Sequence, residues 1–166
     1  MNRIYILIGP KGGGKSYVGR LLEQEFGIQF LPIEEIFIQL QKKGVSTSEV
    51  QEKGYQRVEA RVTDILTQSN AVSFEITVLT PASKDLLSRL GLLAQIEMVQ
   101  ISAPLKLCLE RIKQRDASDH IDIPEERIMG INKLSVKQQI HTKLKIDTSQ
   151  LNDEEMLEKF RKEYKD

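Results

Sequence analysis

Residues Gly9-Pro10-Lys11-Gly12-Gly13-Gly14-Lys15-Ser16 have the spacing G-x-x-x-x-G-K-[ST], which suits the capture of a polyphosphate. A phosphate chain approaches a backbone closely only where side chains are out of the way, so glycines belong where several N–H groups must converge on anionic oxygens. Lys15 adds a point charge. Ser16 offers a hydroxyl to a Mg²⁺ ion bridging the phosphates, and the N-terminus of a following helix adds its partial positive charge at the same spot. The expected phosphate-contacting set is therefore Gly9, Lys11, Gly12, Gly13, Gly14, Lys15, Ser16 and Tyr17, with Ser16 as the metal ligand.

Such a loop works only between a strand and a helix, and the flanking residues supply both. Ile4-Tyr5-Ile6-Leu7-Ile8 is an apolar, largely β-branched run that reads as a buried parallel strand. Val18, Leu21, Leu22 and Phe26 then recur at helical spacing, with Gly27 as a stop. Further along, 28–31, 71–76, 96–101 and 142–147 read as strands. Helical patterns cover 35–43, 55–69 and 82–90, a stretch opened by Pro104, another opened by Pro124, and the C-terminal residues capped by Asn152 or Asp153. Ser46-Thr47-Ser48-Glu49 offers a capping pattern for a helix with an expected break at Gly54.

In a parallel sheet the ligand lies beyond the carboxyl ends of the strands, so acids and arginines at those ends are the next candidates. Glu34 and Glu35 follow the second strand. Either could act as a general base on an acceptor hydroxyl or hold a metal-bound water, or simply complement a helix dipole. Glu75 ends the third strand, where a carboxylate is costly unless it is paired or reaches the site. Arg57, and less so Arg61, could grip an acceptor carboxylate or phosphate with a planar fork, or sit on a solvated helix face. Arg111 and Arg115 lead into a polar stretch at about 115–123 that suits a lid over a phosphoryl transfer site, with the arginines neutralising transferred charge. His120, in that stretch, reads as a loop residue. The loop at 148–152 falls at the sheet edge that holds the base in many such folds.

The 166 residues suit one domain spanning 1–166, without repeats or linkers. Lys plus Arg and Asp plus Glu each total 24, so no global charge draws the chain to nucleic acid or acidic membranes, and an anion site must be made locally. With no aromatic and basic stripe either, a nucleic-acid-dependent nucleoside triphosphatase is disfavoured. Cys108 is the only cysteine and lies in an apolar helical stretch, where packing is its expected role. A lone cysteine, without a signal peptide or long apolar run, points to the cytoplasm. The expected partners are a nucleoside triphosphate and a small-molecule acceptor, with the chain a monomer or homodimer.

Ile6 to Ser16, followed by Val18-Gly19-Arg20-Leu21-Leu22, closely resembles the start of shikimate kinases. That resemblance implies a three-layer α/β/α, P-loop-containing nucleoside triphosphate hydrolase fold with a five-stranded parallel sheet in the order 2-3-1-4-5. It also implies ATP and Mg²⁺. The acceptor motifs depart from the family: its Asp-x-Asp after the second strand falls on Pro32-Ile33-Glu34, its Phe-Arg pair on Tyr55-Gln56 with Arg57 one place late, and its triple glycine on Phe74-Glu75-Ile76. The expected function is an ATP-dependent phosphotransferase whose small-molecule acceptor is not shikimate, with a nucleotide or nucleoside as one class. Lys15, Glu34, Glu75, Arg111 and Arg115 would be its catalytic residues, and Glu34, Arg57 and Glu75 its acceptor contacts. The competing expectation is a nucleotide-binding switch of the same fold that transfers nothing.

Overall fold

Alternate residues of the first strand feed two separate cores, as the two-residue period of a strand requires. Ile4, Ile6 and Ile8 pack on one face with Val72, Phe74 and Ile76, while Tyr5 and Leu7 pack on the other with Val99, Ile101, Leu144 and Ile146. A computed structural model describes residues 1–115 and 123–164, in which β1 (Arg3–Ile8), β2 (Gln29–Phe30), β3 (Ala71–Ile76), β4 (Gln95–Ser102) and β5 (Leu144–Asp147) form one sheet. The strand order is β2-β3-β1-β4-β5 and every pairing is parallel. The expected order and three-layer architecture are thus observed.

Among the described residues seven helices connect and cover the strands: α1 (Lys15–Phe26), α2 (Ile33–Lys42), α3 (Thr47–Gln68), α4 (Pro81–Leu90), α5 (Leu105–Lys113), α6 (Glu125–Lys137) and α7 (Asp153–Tyr164). The first core takes Ile33 from α2, Val58, Val62 and Ile65 from α3, and Leu86 and Leu90 from α4. The second takes Val18 and Leu22 from α1 and Met156 and Phe160 from α7. Phe160 stacks with Phe26 at 5.3 Å between centroids and tilts against Tyr5 at 5.1 Å. Cys108 is fully buried, as packing requires. No helix among the described residues is long and apolar enough to cross a membrane.

Three local expectations need correction. The second strand is only two residues long, because Pro32 has no N–H to continue the ladder and instead precedes α2. Ser46 does precede α3, but its hydroxyl makes no cap bond and lies 3.3 Å from the Ser48 hydroxyl. A capping box forms instead at α4, where Thr80 and Ser83 bond reciprocally. Gly54 does not break α3, which runs unbroken for 22 residues. It is a packing glycine: a Cβ there would lie 2.3 Å from Cε1 of Phe37 on α2, and the Phe37 ring is itself set edge-on against Tyr55 at 5.3 Å. The lid expected at about 115–123 lies outside the described residues apart from Arg115 and Ile123, and His120 lies outside them too.

The close approach of α2 and α3 is testable. Gly54→Val should cost about 1–3 kcal/mol in urea unfolding by overpacking against Phe37. In Gly54→Val/Phe37→Ala the losses should sum to less than those of the two single variants, since one substitution removes the atoms that the other strikes.

Candidate functional site

A loop that presents N–H groups to an anion must turn its carbonyls elsewhere, and each carbonyl turned inward needs a donor. From Gly9 to Gly14 every carbonyl has one. Lys15 Nζ donates to Gly9 O at 2.9 Å and to Pro10 O at 2.8 Å. Asn132 Nδ2 on α6 donates to Lys11 O at 3.0 Å. Arg111 Nη1 on α5 donates to Gly12 O at 3.2 Å, Thr148 Oγ1 beyond β5 donates to Gly13 O at 2.6 Å, and Val18 N–H on α1 donates to Gly14 O at 3.0 Å.

The amides divide differently. Gly9 N–H goes to Ile76 O, Lys11 N–H to Asn132 Oδ1 and Gly13 N–H to Pro10 O. Because the first intrahelical bond of α1 is that of Val18, the amides from Gly14 to Tyr17 have no partner within the helix and face the loop's concave side. Left-handed backbone makes this possible: Gly12 has φ 78° and Gly14, the N-cap of α1, has φ 98°. A side chain at Gly12 would also strike the Cys108 carbonyl, and one at Gly14 the Thr148 side chain. Together these amides form an anion-binding concavity at a helix N-terminus.

Lys15 is buried at 7% exposure. Burial pulls its ammonium down to about 8, with the Glu75 carboxylate opposing the shift. Glu75 reaches this point because strand register sets it opposite Leu7, on the α1 face of the sheet at its carboxyl end. Its Oε2 accepts the Ser16 hydroxyl at 2.7 Å. Glu34, in the first turn of α2, lies 3.5 Å from Lys11 Nζ.

These groups converge on one cavity of about 220 Å³. Lys11, Gly12, Gly14, Lys15 and Ser16 line it from the loop side, Glu34 and Glu75 supply carboxylates, and Ile33, Phe37, Tyr55 and Val78 give it an apolar wall. Arg115 borders this cavity and also a cleft of about 450 Å³ beyond Gly14, which Tyr17, Arg111, Thr148, Leu151 and Asp153 line. Tyr17 is there on the surface, its hydroxyl donating to Asp153 at 2.7 Å, and that bond pushes the phenol pKa up.

Two expected site residues are placed elsewhere or otherwise engaged. Arg57 is exposed and lines a groove with Leu31, Glu35, Ile36 and Arg61 between α2 and α3, outside the cavity; Tyr55, two positions earlier, faces the cavity instead. Arg111 is bonded to Gly12 O and to Thr148 Oγ1 at 2.9 Å, so it braces the loop from behind. Asn132 and Thr148, which also hold the loop, carry no sequence signal, since each acts from more than 100 residues away.

Residues 4–134 match the AAA domain family. Shikimate kinase from Halorhodospira halophila is 31% identical over 139 residues, covering 78% of this chain and 74% of that enzyme. The chain belongs to the AAA domain family and, among P-loop kinases, to the shikimate kinase-like family. Within it, shikimate kinase from Geobacter sulfurreducens is 30% identical over 118 residues, 67% of this chain and 61% of that enzyme, so the chain spans less than two thirds of that relative's length. A sugar kinase from Janibacter sp. has a TM-score of 0.69 at 13% identity, covering 98% of this chain and 94% of that one, a likeness of fold alone.

The depressed Lys15 pKa gives a pH prediction. Phosphates beside Lys15 favour its charged form and so raise its pKa on binding. Above pH 8, where part of the free protein has lost that proton, nucleotide binding should take up protons and weaken as pH rises. Below about pH 7 both states are protonated and uptake should vanish. Calorimetry in two buffers of unequal ionisation enthalpy reads this directly; equal proton uptake at pH 6.5 and 8.5 would contradict it.

Proposed function

We propose that this chain is an ATP-dependent phosphotransferase acting on the hydroxyl of a small molecule other than shikimate, with a nucleoside or nucleotide as the acceptor class. The observation that carries this reading is that the phosphate-binding loop and two carboxylates line one cavity. A donor phosphate on the loop amides and an acceptor hydroxyl beside Glu34 would then be neighbours, and positioning is most of what phosphoryl transfer asks of a protein. The bulky Phe74-Glu75-Ile76 end of β3 supports an acceptor unlike shikimate, and the edge-on Phe37 and Tyr55 pair offers a ring-bearing acceptor a flat apolar wall.

The Ser16 hydroxyl and the Glu75 carboxylate, 2.7 Å apart, are hard oxygen donors that suit Mg²⁺, which takes few protein ligands and keeps several waters. Ser16 would hold the ion directly and Glu75 through a water. When bound, Mg²⁺ supplies neutralisation of charge on the phosphates. Lys15 exchanges the Gly9 and Pro10 carbonyls for phosphate oxygens, and the Gly14 to Tyr17 amides orient the chain of phosphates. Glu34 accepts the proton of the acceptor hydroxyl. Arg115, at the border of both spaces, balances the charge on the transferred group, and Arg111 keeps the loop in shape.

Lys15→Ala should lower phosphotransfer by about 10²–10³-fold, the range for losing one such group, while the chain still melts cooperatively; full transfer by that variant would remove the assignment. Glu34→Gln should lower kcat by about 10²-fold or more with nucleotide KM unchanged. The acceptor is found by following ADP release across nucleosides, nucleotides and small polyols. If the chain binds nucleotide but no compound stimulates release above background hydrolysis, the nucleotide-binding switch replaces the kinase.

A further inference from the structure

One face of α6, with Gln138 as the residue that caps it, carries three polar side chains, each bonded to backbone in a loop distant in sequence. Asn132 is 3% exposed and closes a two-bond ring with the backbone of one residue, holding both peptide units that flank it: its Oδ1 accepts Lys11 N–H at 2.7 Å and its Nδ2 donates to Lys11 O at 3.0 Å. Three positions on, Ser135, 5% exposed, donates to Thr77 O at 2.8 Å. Another three positions on, Gln138 donates to Thr77 O at 2.9 Å and accepts Leu79 N–H at 3.0 Å. Residues three apart share a helix face, so the C-terminal half of α6 touches the phosphate-binding loop through Asn132 and the loop after β3 through Ser135 and Gln138. Thr77 and Val78 line the same cavity as Lys15 and Ser16.

We propose that Asn132 is a positioning residue for the donor nucleotide, and that α6 is the crosspiece that sets the donor loop and the β3–α4 loop at a fixed separation. The two Asn132 bonds pin the Pro10–Lys11 peptide by its N–H and the Lys11–Gly12 peptide by its carbonyl. Neither peptide can then rotate, and with the Lys11 carbonyl held outward the Gly12 N–H of the same trans peptide points the other way, toward the concavity. The neighbouring amides of Gly12 and of Gly14 to Tyr17 are then left pointing inward as a set. Without Asn132 the Lys11 carbonyl is free to turn toward the phosphates, where it would repel them, and both buried peptide groups lose their partners. Ser135 and Gln138 act on the other loop, so their loss should affect the acceptor side and spare the nucleotide.

This inference rests on reading Gly9 to Ser16 as the site of a nucleotide's phosphates, and the test separates the two. Binding of ADP with Mg²⁺ to the full chain is measured by calorimetry, with thermal melting of each unliganded variant as a control. Asn132→Ala should weaken ADP binding on the order of tenfold or more, because misplacing a positioning group by a fraction of a bond length is costly. Ser135→Ala removes an equally buried bond from the same helix face and should leave ADP affinity within about twofold, with a comparable loss of melting temperature. Should Asn132→Ala fail to fold, Asn132→Ser, too short to reach Lys11 yet polar, carries the same expectation. An Asn132 variant that binds ADP within twofold of the unaltered chain overturns the proposal, as does a Ser135→Ala loss equal to that of Asn132→Ala, which would mean general loosening of α6. Failure of the unaltered chain to bind ADP would instead overturn the nucleotide reading itself.

Discussion

The fold is arranged around six carbonyl oxygens that must not point at a phosphate. Backbone N–H and C=O groups alternate along any chain, so a loop that offers its amides to an anion has to hide the oxygens between them, each with a donor. In this chain the donors come from Lys15 and Val18 on α1, Arg111 on α5, Asn132 on α6 and Thr148 after β5. The helices packed on that end of the sheet thus converge on a single short loop. A buried peptide group left without a partner costs about 1–3 kcal/mol, so each of these donors also helps hold its element in place.

The same geometry sets the electrostatics. The chain has no net charge to attract an anion, and the cavity is close to balanced: Lys15 faces Glu75 and Lys11 faces Glu34. Burial makes the Lys15 ammonium easier to neutralise, which in a low-dielectric site is equivalent to a demand for a negative partner. The loop carbonyls meet part of that demand and Glu75 another part. A site built this way tolerates its own charges and still gains from a more negative ligand.

Much of this was legible along the sequence. β1, the loop and α1 were readable because their signals are local: a β-branched run, glycines where a backbone must bend or be approached, and apolar residues at helical spacing. The strand order followed from resemblance, and the sheet has it. Gly54 misled because a glycine's sequence signal is the same whether it ends a helix or lets a second helix approach. Only the Phe37 ring lying against it distinguishes the two cases. Arg57 is a similar case, since a shift of two residues on a helix turns a side chain through slightly more than half a turn, from the cavity that Tyr55 lines to an outer groove.

By itself the sequence determined the chemistry of the phosphate end, because glycine, lysine and serine at that spacing act through backbone geometry and charge carried within eight consecutive residues. Tertiary structure alone decided what stands around it. The pairing of Ser16 with Glu75 depends on strand register, that of Lys11 with Glu34 on the placement of α2, and the grip of Asn132 on Lys11 on a helix 121 residues away. Glu34 and Glu75 stand out in the sequence by their places at strand ends, but their partners do not, and a lone Asn or Thr reads as a surface residue until the fold sets it against an otherwise unsatisfied group.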